Sequence, residues 1–221
     1  MARADLLAAL AGDLAGRRVG HPLRVGIDGV CGAGKSRFAR DLVAALEERG
    51  RPVRLVDSDG FHHVSRVRRS GHDPARGYYE NAYDFDRLVA DVLVPLGPGG
   101  DRRYATRVHD LATDEVVEDA WAVAEDEAVV VFDCTFLQRG DLRRHWDVVV
   151  FLDVDPETAR ARGIVRDAHA LGGRDAAEAA YDARYHAACL IYLEEERPRE
   201  RADVVVDHED PARPRFLRLD V

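Results

Sequence analysis

Apolar positions recur along the chain with two different periods. From Ala4 to Ala15, Leu6, Leu7, Leu10 and Leu14 fall at helical spacing, with Asp5 and Asp13 between them. That predicts an amphipathic helix packed on the body of the protein. Leu23 to Asp28 reads as a short buried strand, and Phe38, Ala39, Leu42, Val43 and Leu46 predict a helix running to about Arg49. Pro52 to Val56 is a second strand. Phe85, Leu88, Val89, Val92 and Leu93 predict a helix over 85–96, which Pro98 breaks. Ala128 to Phe132 and Val148 to Leu152 are continuous apolar runs, as expected of strands covered on both faces. Asp155-Pro156-Glu157 opens a helix. Helical spacing returns from Asp175 to Glu196, and Val204 to Val206 is expected to be the final strand. Arg103 to His109 and Val116 to Ala124 are expected to pair as strands at one edge. Val64 to Glu80, rich in arginine, glycine and proline, is expected to be loop.

Strands alternating with helices predict an α/β fold with a parallel sheet. No internal repeat, low-complexity tract or interdomain linker interrupts the pattern, so residues 1–221 are expected to form a single domain. Ligands of such sheets gather beyond the carboxyl ends of the strands.

Composition narrows the function. A net charge of -9 argues against a nucleic-acid partner bound by bulk attraction to phosphate. The apolar helix at the start is too short to span a bilayer and lacks the basic start of a signal peptide, so no membrane partner is expected. Cys31, Cys134 and Cys189 are scattered and odd in number, which suits a reduced, cytoplasmic setting. Nothing in the composition decides for or against a homo-oligomer.

Of the 32 basic residues only Lys35 is lysine. In an arginine-biased chain, a lone lysine marks a tight site that needs a compact ammonium rather than a planar fork. Its neighbours identify the site. Gly29-Val30-Cys31-Gly32-Ala33-Gly34-Lys35-Ser36 is a G-x-x-x-x-G-K-S phosphate loop between a strand and a helix, in the order such a loop requires. Glycines let backbone N–H groups converge on phosphate oxygens, and the helix N-terminus adds partial positive charge. Lys35 is assigned to the phosphates, Ser36 to Mg²⁺, and Arg37 to the bound nucleotide, expected to be ATP. The fold class expected is therefore a P-loop NTPase three-layer sandwich with a parallel sheet and a helical lid.

Asp133 closes an apolar strand and is assigned to Mg²⁺ through water, or to orienting the nucleophile. Asp59, just past another strand, is the expected base for an acceptor hydroxyl and a second metal candidate. Asp57 competes with it but is expected to hydrogen-bond at the strand end. Arg162 and Arg166 lie one helical turn apart in a lid over about 160–180, with Arg162 on the nucleotide and Arg166 on the transferring phosphoryl group. The Arg66–Arg69 cluster is solvated loop or a grip on an acidic acceptor. His62, His63, His72 and His109 lack metal-ligand spacing.

With these motifs in hand, the chain resembles the uridine kinase and phosphoribulokinase group of P-loop kinases, from about Leu23 to Pro211. Asp59-Gly60-Phe61-His62 resembles the D-x-F-Y segment of uridine kinases and, more closely, the D-G-F segment of bacterial pantothenate kinases. Val165-Arg166-Asp167 and Gly173-Arg174-Asp175 resemble the uridine kinase lid, and Ala202 to Asp207 their late strand. The resemblance implies that Asp59 is the base and that Tyr83, Asp84, Tyr104, His109 and Arg174 contact the acceptor. The chain departs from that pattern. Tyr104-Ala105-Thr106 replaces Y-D-F, the ribose-binding aspartate falls at or beside Tyr83, and a lid arginine becomes Gly163. The implied activity is ATP- and Mg²⁺-dependent phosphorylation of a small molecule, a nucleoside such as uridine or cytidine. The alternative is a pantothenate-like or secondary-metabolite hydroxyl. A nucleotide-sensing regulator is the reading of another class, but a guanine-reading N-K-x-D motif is excluded because Lys35 is the only lysine.

Overall fold

The computed structural model describes residues 2–220. Its first half runs α1 (Arg3–Gly16), β1 (Leu23–Asp28), α2 (Lys35–Glu47), β2 (Val53–Asp57), α3 (Ser65–Arg68), α4 (Pro74–Asn81) and α5 (Phe85–Leu88). Short strands β3 (Arg103–Ala105), β4 (His109–Asp110), β5 (Glu115–Val116) and β6 (Trp121–Val123) follow, then β7 (Val129–Asp133) and β8 (Val148–Asp153). The chain closes with α6 (Pro156–Asp167), α7 (Arg174–Ala180), α8 (His186–Glu196), α9 (Pro198–Arg201), β9 (Val204–Asp207) and β10 (Arg215–Leu219).

Six strands form one sheet in the order β10-β9-β8-β1-β7-β2, parallel throughout except for β10. This is the three-layer α/β sandwich expected. The side chains of β1, β7 and β8 are almost wholly buried, as their continuous apolar runs required. On one face α2 lies against β1, β7 and β2, and α1 lies on α2. The α1 leucines Leu6, Leu10 and Leu14 are fully buried, and Arg3 pairs with Asp41 of α2 at 2.9 Å. All five parallel strands end in aspartate: Asp28, Asp57, Asp133, Asp153 and Asp207. Register puts Asp133 beside both Ile27 and Asp57, so β1, β7 and β2 deliver their terminal carboxylates to one edge.

The structure corrects the sequence reading in four places. Residues 74–81 are helix rather than loop: Pro74 takes the first helical position and the Asp73 carboxylate accepts from the N–H groups of Ala75 and Arg76 at 2.8 and 3.1 Å. The helix of Phe85 widens into a π turn over Val89–Leu93. The strands around residues 103–123 do pair, β3 with β6 and β4 with β5, but as two separate ladders outside the main sheet. Finally, β9 is not the last strand. Antiparallel β10 follows it at the sheet edge, half-exposed, so its pattern lacks the apolar run of a covered strand.

Candidate active site

The turn after β1 is built by its own backbone. Gly29 N–H donates to Asp28 at 2.8 Å, and Gly32 and Gly34 take φ of +87° and +92°, a region glycine enters freely. At Gly32 a side chain is also excluded by space, because a Cβ would lie 2.0 Å from the Ala159 carbonyl of α6. The phosphate loop therefore touches α6 directly. Lys35 heads α2 and donates to the Gly29 and Val30 carbonyls, both at 2.9 Å, which curls its ammonium over the loop. Val30 and Ala33 are buried under it.

Beneath the loop, Asp28 is fully buried. Tyr192 donates to it at 2.5 Å and Gln138 at 2.9 Å; burial nonetheless pushes its carboxyl above the ordinary carboxylate range. On the other flank the His208 Nδ1 lies 2.8 Å from the Ala33 carbonyl, which can only accept, so Nδ1 carries the proton. Arg3 then donates to His208 Nε2 at 2.9 Å, and burial lowers the His208 pKa, consistent with a neutral ring.

Ser36 donates to Asp133 at 2.6 Å. Burial raises the Asp133 carboxyl, opposed by the Ser36 hydrogen bond and the nearby Lys35 charge. A hydroxyl and a carboxylate side by side, next to a phosphate-binding loop, fit Mg²⁺, which takes few protein oxygens and completes its shell with phosphate and water. No cluster of three or more His, Cys, Asp or Glu side chains that would hold a softer or fully caged ion occurs among the described residues.

Asp59 lies in the tight turn after β2. The Asp57 carboxylate accepts its N–H at 3.0 Å and so fixes the turn, the strand-end bonding expected of Asp57. His62 Nε2 is 3.6 Å from Asp59 Oδ1, while His62 Nδ1 donates to the Ala82 carbonyl at 2.8 Å. The His62 ring holds the Asp59 carboxyl below the ordinary range, against the effect of burial, and Arg166 assists.

Two adjoining cavities of about 340 Å³ each meet at Asp59. The first holds the phosphate machinery: Lys35, Ser36, Asp133 and Thr135, with Tyr83 and Cys134. The second is lined by Arg68, Arg69, Leu111, Tyr181, Arg184 and Tyr185. Cys31, Asp59, His62, Tyr78, Arg166 and Asp167 border both. Arg166 is held bidentately by Asp167 at 2.7 and 2.9 Å, and Tyr181 donates to the same carboxylate at 2.7 Å.

The remaining expected residues disperse. Arg162 turns away from Arg166 to the carbonyls of His208 (3.3 Å) and Glu209, which places it beside the loop flank rather than over its phosphates. Arg37 and Arg174 are exposed and line neither of the two cavities. Tyr83 stacks on His62, with ring centroids 4.4 Å apart. Asp84 caps α5 by accepting from Arg87 N–H at 3.0 Å. Tyr104 is buried in β3. His109 is buried too, with Nε2 3.1 Å from Asp114, and borders a third cavity that also reaches Asp59. Sequence reasoning missed Tyr78, Tyr181, Arg184 and the positioning carboxylate Asp167. Only Asp167, beside Arg166 in the lid segment, carried a local signal.

The model of the phosphoribulokinase/uridine kinase family matches residues 24–208. The uridine kinase of Clostridium perfringens is 24% identical over 154 residues, covering 69% of this chain and 71% of the relative. The uridine kinase of Brevibacillus brevis is 23% identical over 153 residues, 67% and 68% of the two chains. A solved structure from Bacillus stearothermophilus, described as a possible uridine kinase, superposes with a TM-score of 0.71 at 24% identity, covering 91% of this chain and 97% of its own. D-glycerate 3-kinase from Cryptococcus neoformans superposes with a TM-score of 0.66 at 14% identity, covering 98% and 100%.

Proposed function

We propose that this chain, which belongs to the phosphoribulokinase/uridine kinase family and is a P-loop kinase acting on a hydroxyl, uses ATP with Mg²⁺ as donor and Asp59 as base. The observation that carries this is the position of Asp59, at the junction between the cavity of Lys35, Ser36 and Asp133 and a second cavity able to take an acceptor.

The loop N–H groups and Lys35 bind the phosphates, and Ser36 with Asp133 would hold Mg²⁺, which supplies neutralising charge when bound. Asp59 accepts the proton of the acceptor hydroxyl as the acceptor oxygen bonds to the γ-phosphorus and the bond from that phosphorus to the bridging oxygen breaks, with ADP leaving. Its lowered pKa keeps it ionised at neutral pH. Such a weak base suffices because catalysis of phosphoryl transfer is mostly positioning and charge stabilisation. Arg166 sits at the same junction and, released from Asp167, neutralises charge on the transferring group. The segment 160–180, whose Ile164 and Ala177 pack with Tyr181 in a small apolar cluster apart from the main core, acts as the lid that excludes water.

The relatives named uridine kinase support a nucleoside 5′-hydroxyl as acceptor. Of the residues implied for that role, Tyr83 lines the phosphate cavity and His109 the third cavity, whereas Asp84 and Tyr104 line none of the three. A second reading, a different small hydroxyl compound, is favoured by the arginines of the acceptor cavity. The test is coupled ADP release with ATP and Mg²⁺ against nucleosides, sugars and hydroxy acids. Acceptor-dependent turnover is expected. Silence with every hydroxyl compound, while ATP still binds, would overturn the kinase reading.

A further inference from the structure

The acceptor cavity is basic in an acidic protein. Four arginines, Arg68, Arg69, Arg166 and Arg184, line it against two carboxylates, Asp59 and Asp167, although the whole chain carries a net charge of -9. Two of the four are already spoken for: Arg166 by Asp167, and Arg68 by Asp114 at 3.0 Å. Among the described residues, neither Arg69 nor Arg184 has a carboxylate within ion-pair distance.

Arg184 is nevertheless held in place. It lies on the π turn Tyr181–Tyr185, and Tyr181, Arg184 and Tyr185 all line the cavity. The wider turn brings three long side chains of one segment onto the same wall, and π turns of this kind concentrate at functional sites. The Arg184 guanidinium stands over the Tyr78 ring at 5.0 Å and the Tyr185 ring at 5.6 Å. One of its terminal nitrogens donates to the Arg68 carbonyl at 3.2 Å, tying the π turn to the basic loop. The side chain is thus oriented by aromatic faces and a carbonyl, none of which neutralises its charge.

A second observation points the same way. The Nε atoms of both Arg68 and Arg184 are buried without an acceptor. A buried charged donor left unpaired is costly, and an anion entering the cavity would offset that cost where it reaches these guanidinium groups. Neutral hydroxyls of a nucleoside supply lone pairs but no charge. A carboxylate or phosphate supplies both, in the planar or tetrahedral geometry that guanidinium groups match.

We infer that the phosphate acceptor is an anionic alcohol, carrying a carboxylate or phosphate that Arg69 and Arg184 bind while its hydroxyl faces Asp59. This rests on the kinase reading above and narrows its substrate class. The two arginines act as specificity determinants. They pair with the non-reacting end of the acceptor and leave its hydroxyl as the only group near the base.

The test uses matched acceptor pairs in the ADP-release assay: D-glycerate against glycerol for the carboxylate, ribose 5-phosphate against ribose for the phosphate, and uridine and cytidine as neutral nucleosides. At least about tenfold preference for one anionic member is expected, the scale of a charge-assisted contact. Arg69→Met and Arg184→Gln should each lower kcat/KM for that anion by roughly tenfold or more, chiefly through KM, and its neutral partner far less; Arg184→Lys should recover part of the loss. Arg66→Met, an exposed arginine outside the cavity, should leave the preference unchanged. Equal use of both members of each pair, or better use of uridine with no effect of Arg69→Met, overturns the anionic acceptor and leaves the kinase standing. If no compound turns over, the kinase reading falls, and binding then decides the anion site. With ADP and Mg²⁺ filling the phosphate loop, calorimetry should show inorganic phosphate or acetate bound by the wild type and lost in Arg69→Met/Arg184→Gln. No binding, or binding unchanged in the variant, overturns the site.

Discussion

The Ser36 hydroxyl donates to the Asp133 carboxylate at 2.6 Å, joining the first turn of α2 to the end of β7. The bond spans 97 residues of sequence and sets two hard oxygen donors side by side, the pair proposed to hold Mg²⁺. Ser36→Ala and Asp133→Asn are each expected to lower kcat by roughly 10²-fold or more and raise the Mg²⁺ concentration needed for half-maximal rate. Melting temperature separates this from damage to the fold. Burial makes the Asp133 charge costly, so Asp133→Asn should melt no lower than wild type. Unchanged Mg²⁺ dependence would remove both residues from the metal.

Asp59→Asn keeps the shape of the junction and removes the base. A loss of about 10²-fold or more in kcat is expected, with ATP affinity preserved in a direct binding measurement. Turnover near wild type would mean that another group takes the proton.

Gly163 stands where the resemblance to uridine kinases places a lid arginine, and the structure supplies the reason for its absence. A Cβ there would lie 2.1 Å from the Tyr181 hydroxyl, which donates to Asp167. Gly163→Ala should therefore cost about 1–3 kcal/mol of stability through overpacking and reduce kcat by disturbing Tyr181, Asp167 and Arg166 together. Thermal melts and steady-state rates check this; a variant as stable and active as wild type would show that the Tyr181 contact is dispensable.

Asp114 ties the β4–β5 hairpin to the basic loop. Its carboxylate accepts from Ser65 N–H at 2.8 Å, from Arg68 at 3.0 Å and from His109 at 3.1 Å. Partial burial raises its pKa, but these bonds outweigh it and hold the carboxyl down to about 2. A depressed carboxyl contributes stability above the unfolded value of about 3.9 and loses it as pH falls through the folded one. Urea denaturation of wild type and Asp114→Asn should thus differ fully at pH 6 and converge as the pH falls toward 2. A difference that stays constant with pH would refute the linkage.

Cys31 is part-buried and borders both cavities. Its hydrogen bond with the Cys189 thiol lowers its pKa against the effect of burial, and Lys35 assists. Iodoacetamide should label Cys31 ahead of Cys134 and Cys189 at pH 7, and keep labelling it at mildly acidic pH where an ordinary thiol reacts slowly, with ATP and Mg²⁺ protecting. Mass spectrometry showing Cys134 or Cys189 labelled first would contradict the thiolate assignment.

Local chemistry was legible in the order of residues wherever it was contiguous. The phosphate loop is eight successive positions whose strand and helix flank them directly, so pattern alone located it. Asp133 was visible because an apolar run ends on it. The helix at residues 74–81 announced itself through Asp73-Pro74, but the surrounding glycines and arginines outweighed that signal. The exposed strand β10 had no apolar run to betray it.

What the chain's order determined by itself is the phosphate-loop half of the site: the loop, its lysine, the Ser36 hydroxyl and the parallel strands that aim at one edge. These follow from backbone conformation and short-range hydrogen bonding, which a dozen neighbouring residues decide. The acceptor half was decided only by tertiary packing. Arg184 reaches the carbonyl of Arg68 across 116 positions, and Gly32 meets Ala159 through the closeness of two backbones. Such contacts depend on how helices seat against the sheet, a global balance of burial and close packing that no local run of residues encodes. The same balance turned Arg162 away from the phosphates and left Arg69 and Arg184 facing a cavity without a carboxylate to meet them.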